Sequence, residues 1–211
     1  MDVVELPMFP LGSVLVPFQL LPLQVFEPRY RALVTRCLES DGRFGVVLIE
    51  RGSEVGGGDV RFPVGTVARI LDLRELPDGR IGLACRGEER LRVTEWLPDD
   101  PYPRAQVTLL PDLADDSVEL RRLRVPIAAA FARVVELARV LGAEVPPDLR
   151  LDLDPVRAGW EAVAMAPIGS FDVHAILDED DVARRLVRIA TALEDTAELL
   201  ELRRRAESTD G

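Results

Sequence analysis

Val64-Gly65-Thr66-Val67-Ala68-Arg69-Ile70-Leu71-Asp72-Leu73-Arg74-Glu75-Leu76-Pro77-Asp78-Gly79-Arg80-Ile81-Gly82-Leu83-Ala84-Cys85-Arg86 reads as a strand, a turn and a second strand. Pro77 presets the backbone of the turn and Gly79 accepts a positive φ, so the break is a hairpin and not a loop between helices. Past it, Ile81, Leu83 and Cys85 alternate with Gly82, Ala84 and Arg86, the period of a strand with one buried face. Working outward, the same extended character, punctuated by Gly and Pro, predicts strands at 3–8, 14–18, 44–50, 64–76, 80–96 and 102–110. One helix interrupts them. Pro28 suits a first helical position, Tyr30, Leu33, Val34, Cys37 and Leu38 make one apolar stripe, and Gly42 closes it.

Beyond Asp112 the period changes to that of helices, which divides the chain into a β-rich subdomain, 1–112, and a helical one, 113–211. Helices are expected at 117–141, opened by Asp116 and Glu119 and kinked or split at Pro126, at 155–166 after Asp154, and at 170–177 with Ser170 as its cap. The last, 179–206, is the clearest, with Val182, Leu186, Ile189, Leu193, Ala197 and Leu200 on one face. Burying that stripe against the other helices gives a bundle.

Composition sets the chemistry. Among 211 residues, 47% are hydrophobic and 30% charged, which excludes wholesale disorder. All 26 basic residues are arginine. With no lysine, a phosphate-gripping P-loop, a Schiff-base enzyme and a Ser-Lys dyad are all excluded. Against 37 acids the arginines leave a net charge of −11, a poor match for nucleic acid, whose binding depends on neutralising phosphates. Cys37 and Cys85 stand alone, without a Cys-x-x-Cys or a nearby histidine, so no metal site, disulfide or cofactor is expected. The uncharged run 6–26 has the length of a membrane span, but Pro7, Pro10, Pro17 and Pro22 forbid a spanning helix, and a cytoplasmic protein with reduced thiols is expected.

That run supplies the candidate site. Leu15, Val16, Phe18, Leu20, Leu21 and Leu23 are more large apolar side chains than one short strand buries on a single face. Some are therefore expected to face a cleft near the junction of the two subdomains and to form an interaction surface. Burial of the run is the competing reading. Phe26-Glu27-Pro28-Arg29-Tyr30 reads first as a helix entry, with exposure of Arg29 and Arg31 to a partner as the alternative.

Other features have plainer explanations. His174 lacks a neighbouring nucleophile motif and reads as a packing or surface residue, not a general base. Asp178-Glu179-Asp180-Asp181 and Arg203-Arg204-Arg205 sit at opposite ends of the last helix, where the macrodipole favours each charge. Gly56-Gly57-Gly58, in a mobile-looking loop at 52–59, lacks the lysine and helix of a phosphate cradle. Arg86, Arg90 and Arg92 alternate on one strand and are the single arrangement that would support RNA binding.

Leu6-Pro7-Met8-Phe9-Pro10-Leu11-Gly12-Ser13-Val14-Leu15-Val16-Pro17, followed by Leu23-Gln24-Val25-Phe26-Glu27-Pro28-Arg29-Tyr30-Arg31-Ala32-Leu33, resembles the opening of the amino-terminal substrate-recognition domain of ATP-dependent Lon proteases. Gly65-Thr66-Val67-Ala68-Arg69-Ile70, the Pro-Asp-Gly-Arg turn, and Gly87 with Arg90 resemble its central strands in the same order. Ala166-Pro167-Ile168, Ala175-Ile176-Leu177-Asp178, Arg185-Leu186 and the long final helix are similar to its helical half, which Val173-His174 departs from. The resemblance implies an α+β fold of bacterial type: a PUA-like pseudo-β-barrel with one packed helix, followed by an α-helical bundle ending in a long helix. It also implies a non-catalytic polypeptide-binding module without ATPase or protease parts. Its partners would be unfolded or peptide segments, bound alone or beside a protease. An adaptor for one folded partner and an RNA-binding barrel are the alternatives, and the oligomeric state is left open.

Overall fold

The computed structural model describes residues 3–51, 60–112 and 117–209, so the glycine run at 56–58 and Asp116 lie outside the described residues. The chain forms two compact units, Met1–Asp112 and Leu113–Gly211.

In the first unit the strands are β1 (Val3–Leu11), β2 (Leu20–Val25), β3 (Arg43–Arg51), β4 (Val60–Glu75), β5 (Ile81–Leu97) and β6 (Arg104–Leu110), with helix α1 (Pro28–Leu38) between β2 and β3. β1 runs parallel to β3, and antiparallel pairs β3–β4, β4–β5, β5–β6 and β6–β1 complete a ring of five strands. Leu6, Met8, Val47, Val67, Leu91, Ala105 and Val107 form one buried cluster along these strands. The turn that joins β4 to β5 is as the sequence reads: Gly79 has φ 79°, and Leu76 and Arg80 close it with a 2.8 Å N–H to carbonyl bond.

β2 lies outside the ring. It pairs antiparallel with only the first part of β5, Leu20 opposite Arg86 and Val25 opposite Ile81. Behind it a second core gathers Phe9, Leu15, Val25, Leu83 and Cys85 with the inner stripe of α1, Tyr30, Leu33, Val34 and Cys37. β2 replaces the strand expected at 14–18. That earlier segment cannot pair because Pro17 and Phe18 form a tight turn, in which the Gln19 N–H reaches the Val16 carbonyl at 3.3 Å.

The second unit contains α2 (Val118–Val140), α3 (Pro155–Met165), α4 (Ser170–Leu177) and α5 (Val182–Thr209); α2 and α3 pack against α5 and each other, and α4 packs on α5. Pro126 does not split α2, which continues through it as one element. Pro126 and Arg122, whose carbonyl the proline cannot bond, are both exposed residues, so the lost bond is open to solvent and costs little. Ser117 caps α2, accepting from the Leu120 N–H. Gly169, and not Ser170, holds the cap position of α4. The acidic run before α5 ends in Asp181, whose Oδ1 accepts the Arg184 N–H at 2.8 Å. Glu179 gathers Arg184 and Arg188 at 3.1 and 3.3 Å. Arg185 is 1% exposed: its guanidinium lies 5.1 Å from the centre of the Trp160 ring and donates to the Glu179 carbonyl at 2.8 Å. Among the described residues no helix is long and apolar enough to cross a membrane.

Gly87 fixes how the 14–19 segment crosses the sheet. A Cβ there would stand 2.2 Å from the Val16 carbonyl oxygen, a backbone atom that cannot step aside. Gly87→Ala is expected to destabilise the first unit by about 2–4 kcal/mol, read as a lower denaturation midpoint at unchanged m-value.

Candidate functional site

The eight residues singled out from the sequence divide by burial. Leu15 and Val16 are 2% and 1% exposed, and Leu15 packs in the second core, so neither presents a surface. Leu21 and Leu23 are half-buried against the same core. Phe18 and Leu20 are exposed, at 44% and 67%. The alternation of β2 explains the division: 21, 23 and 25 turn inward, whereas 20, 22 and 24 turn to solvent. Phe26, just past the other end of the strand, is also exposed, at 55%. Sequence reasoning passed over Phe26 because it read as part of the helix entry. The phase of the strand was the missing signal: with Val25 inward, the following residue turns out.

Phe18 has φ 67°. Left-handed backbone is ordinarily given to glycine or asparagine in such a turn, and for a bulky side chain it is an outlier that neighbouring structure must hold in place. Here that structure is specific. The Phe18 N–H donates to the Gly87 carbonyl at 2.8 Å, and the Gly87 N–H returns to the Gln19 carbonyl at 2.9 Å. Gln19 Oε1 accepts the Val16 N–H, and the buried Thr66 hydroxyl donates to the Leu15 carbonyl at 2.6 Å. The turn is thus pinned from below while its aromatic tip is exposed.

A groove of about 190 Å³ runs beside β2 from Pro22 to Phe26, its far wall made by Phe9, Leu11 and Tyr30. Phe9 and Tyr30 stack at 4.0 Å between ring centres, which makes that wall rigid. Arg29 covers the Tyr30 ring at 4.4 Å and pairs with Glu27 at 3.0 Å, so it is part of the helix entry. Arg31 is exposed and donates to the Gly79 carbonyl at 2.6 Å. Arg86 is exposed, but Arg90 is only 4% exposed and lies 3.8 Å from Asp112. A bulge between Gly87 and Arg90 breaks the alternation, so Arg86, Arg90 and Arg92 do not form one basic stripe. Arg203, Arg204 and Arg205 are likewise engaged, with Glu207, Glu201 and Glu201.

The one histidine and both cysteines are buried. His174 is 8% exposed on the inner side of α4, beside Val173 and Leu177. Burial, the first cause in each case, pushes the thiols of Cys37 and Cys85 up to about 12.

The exposed apolar side chains thus lie on β2 and the turn before it, outside a ring of five strands. The family model described as the ATP-dependent protease La (LON) substrate-binding domain matches residues 5–195, and the chain belongs to that family. Among curated relatives it is similar to Lon protease 2 of Herpetosiphon aurantiacus, 27% identical over 205 residues, and to Lon protease of Escherichia coli K12, also 27% identical over 205. These alignments take in 94% and 96% of this chain but only 24% and 26% of those proteins, so the chain spans about a quarter of their length. Among solved structures it is similar to a Lon N-terminal domain protein from Xanthomonas campestris, with TM-score 0.66 and 31% identity over 89% of this chain and 98% of that one. The N-terminal domain of the Mycobacterium avium complex Lon protease shares the fold, with TM-score 0.67 at 17% identity over 91% and 99% of the two chains.

A thiol whose pKa is raised in the folded state contributes stability that is present below its unfolded value, near 9, and is lost as pH rises toward 12. Two outcomes are expected: native protein leaves both thiols unmodified by Ellman's reagent at pH 8 until denaturant is added, and the denaturation midpoint falls as pH is raised above 9.

Proposed function

We propose that this chain is a polypeptide-recognition module that binds exposed apolar segments of unfolded proteins and performs no chemistry of its own. The observation that carries the reading is Phe18. An aromatic side chain is held 44% exposed on a backbone that favours glycine, two residues before the exposed Leu20 and at the opposite end of β2 from the exposed Phe26. A fold that stores strain to present a hydrophobic side chain to water gains nothing in stability from doing so, and interaction surfaces are where such strain is retained. Family membership supports the same role, since the family is defined as a substrate-binding domain. Within these 211 residues the lack of lysine removes the side chain that both nucleotide-phosphate gripping and Ser-Lys proteolysis require. The buried, protonated thiols and the enclosed His174 offer no substitute nucleophile or base. The proline-broken uncharged segment and the two free thiols support a cytoplasmic location for the module.

Phe18→Asn separates recognition from stability. Asparagine tolerates left-handed backbone, so the melting temperature is expected to stay level or rise. Removing the aromatic contact, worth roughly 1–3 kcal/mol when buried by a client, is expected to weaken binding about tenfold. Fluorescence anisotropy with labelled, reduced and carboxymethylated α-lactalbumin measures the affinity. A lowered melting temperature with unchanged affinity would assign Phe18 to the core.

A further inference from the structure

Resting on that polypeptide-binding reading, we infer that the first unit holds its client as an added β-strand along the outer edge of β2. The five-stranded ring closes without β2, which has a strand partner on one side only. The register fixes which backbone groups point outward. The Gly87 N–H bonds to the Gln19 carbonyl, and Leu20 stands opposite Arg86, so odd-numbered residues from 19 onward face β5 while Leu20, Pro22 and Gln24 direct their backbone groups away from it. No described residue supplies a backbone partner to those three. The edge therefore offers two N–H donors, on Leu20 and Gln24, and three carbonyl acceptors. Pro22, lacking its N–H on the outward side, is where proline is tolerated in a sheet, and it blunts the edge against indiscriminate pairing.

The groove lies along the same edge, with room for one large apolar side chain between Pro22 and the Phe9–Tyr30 wall. Strand addition uses both features together: main-chain bonds to Leu20 and Gln24 supply affinity, and a pocket for an alternate side chain supplies selectivity. Charge selects among occupants. In a chain of net −11, Arg86, the cross-strand partner of Leu20, and Arg31 are exposed near the two ends of β2, and neither pairs with a carboxylate among the described residues. That complements an extended apolar segment flanked by acidic residues. A second copy of this chain brings the same arginines and eleven net negative charges, and so fits less well.

The test isolates the outward N–H of Gln24. Gln24→Pro removes it, and Gln24→Ala removes the same side-chain contacts but keeps it. The probe is a fluorescein-labelled peptide of alternating Val and Thr flanked by aspartates, alongside a twin N-methylated at every central residue, which cannot pair as a strand. Gln24→Pro is expected to bind the peptide about three- to tenfold more weakly than Gln24→Ala, and the methylated twin to bind wild type at least about tenfold more weakly. Equal affinities for the two variants together with equal affinities for the two peptides would overturn strand addition and leave polypeptide binding intact. Failure of wild type to bind both the peptide and unfolded α-lactalbumin would end both readings. Self-association in sedimentation that Gln24→Pro abolishes would assign the edge to a second copy and overturn the proposal. If circular dichroism shows Gln24→Pro unfolded, the methylated twin on wild type decides alone.

Discussion

The first unit depends on one close approach, the Val16 carbonyl resting over Gly87. With no side chain at 87, the backbone of 16–19 lies directly on β5, and three hydrogen bonds lock it there: Phe18 to Gly87, Gly87 to Gln19, and Thr66 to the Leu15 carbonyl. From that clamp β2 inherits its register on β5, and from the register follows every later division between inward and outward side chains. Gly65 is a second approach of the same type, where an added Cβ would meet the Val46 carbonyl at 2.1 Å. Two glycines on adjacent strands thus let backbone pack on backbone.

Arginine has to serve wherever a cation is needed, and the chain uses its planarity. Arg185 is buried because a guanidinium can face Trp160 while donating to a carbonyl, a combination a compact ammonium does not match. Arg29 covers Tyr30 and pairs with Glu27, and Arg61 lies over Trp96 at 4.7 Å while pairing with Asp99. Ion pairs near the surface add little stability each. What they do is orient side chains around aromatic rings, and at Arg29 this stiffens one wall of the groove.

Much of this was legible in the sequence for a physical reason. The β4–β5 turn, the α1 stripe and the long α5 stripe are local patterns, set by turn chemistry and by period, and they read correctly except at Leu38, which the stripe count included and which is 56% exposed at the end of α1. The 14–25 region did not, because its structure is decided by a contact with Gly87 some seventy positions away in the chain, about which local alternation is silent. Val14-Leu15-Val16 has the composition of a strand and is bent out of one by the turn at Pro17 and Phe18, whereas Leu20–Val25, broken by Pro22, pairs because it lies on an edge where the missing N–H is not needed. Burial within that stretch therefore follows a phase that the sequence alone does not show. Phe18 and Leu20 belong to the surface, Leu15 and Val16 do not, and Phe26 was passed over. The bulge that buries Arg90 was also invisible to an alternation count.

The ring also orders events in time. Its closing seam joins Val3 to Thr108, the first strand to the last, while β1 also needs β3 on its other side. During synthesis the β4–β5 hairpin can form as soon as it emerges, but β1 has half its edge unsatisfied until residues 104–110 arrive. Loop closure over that span is the slow, entropically unfavourable step. A nascent first unit therefore spends most of its elongation with the uncharged, leucine-rich 6–26 segment uncovered, resembling the unfolded segments it is proposed to bind. Four prolines interrupt that segment, and each removes a backbone donor that regular pairing with a wrong strand would need.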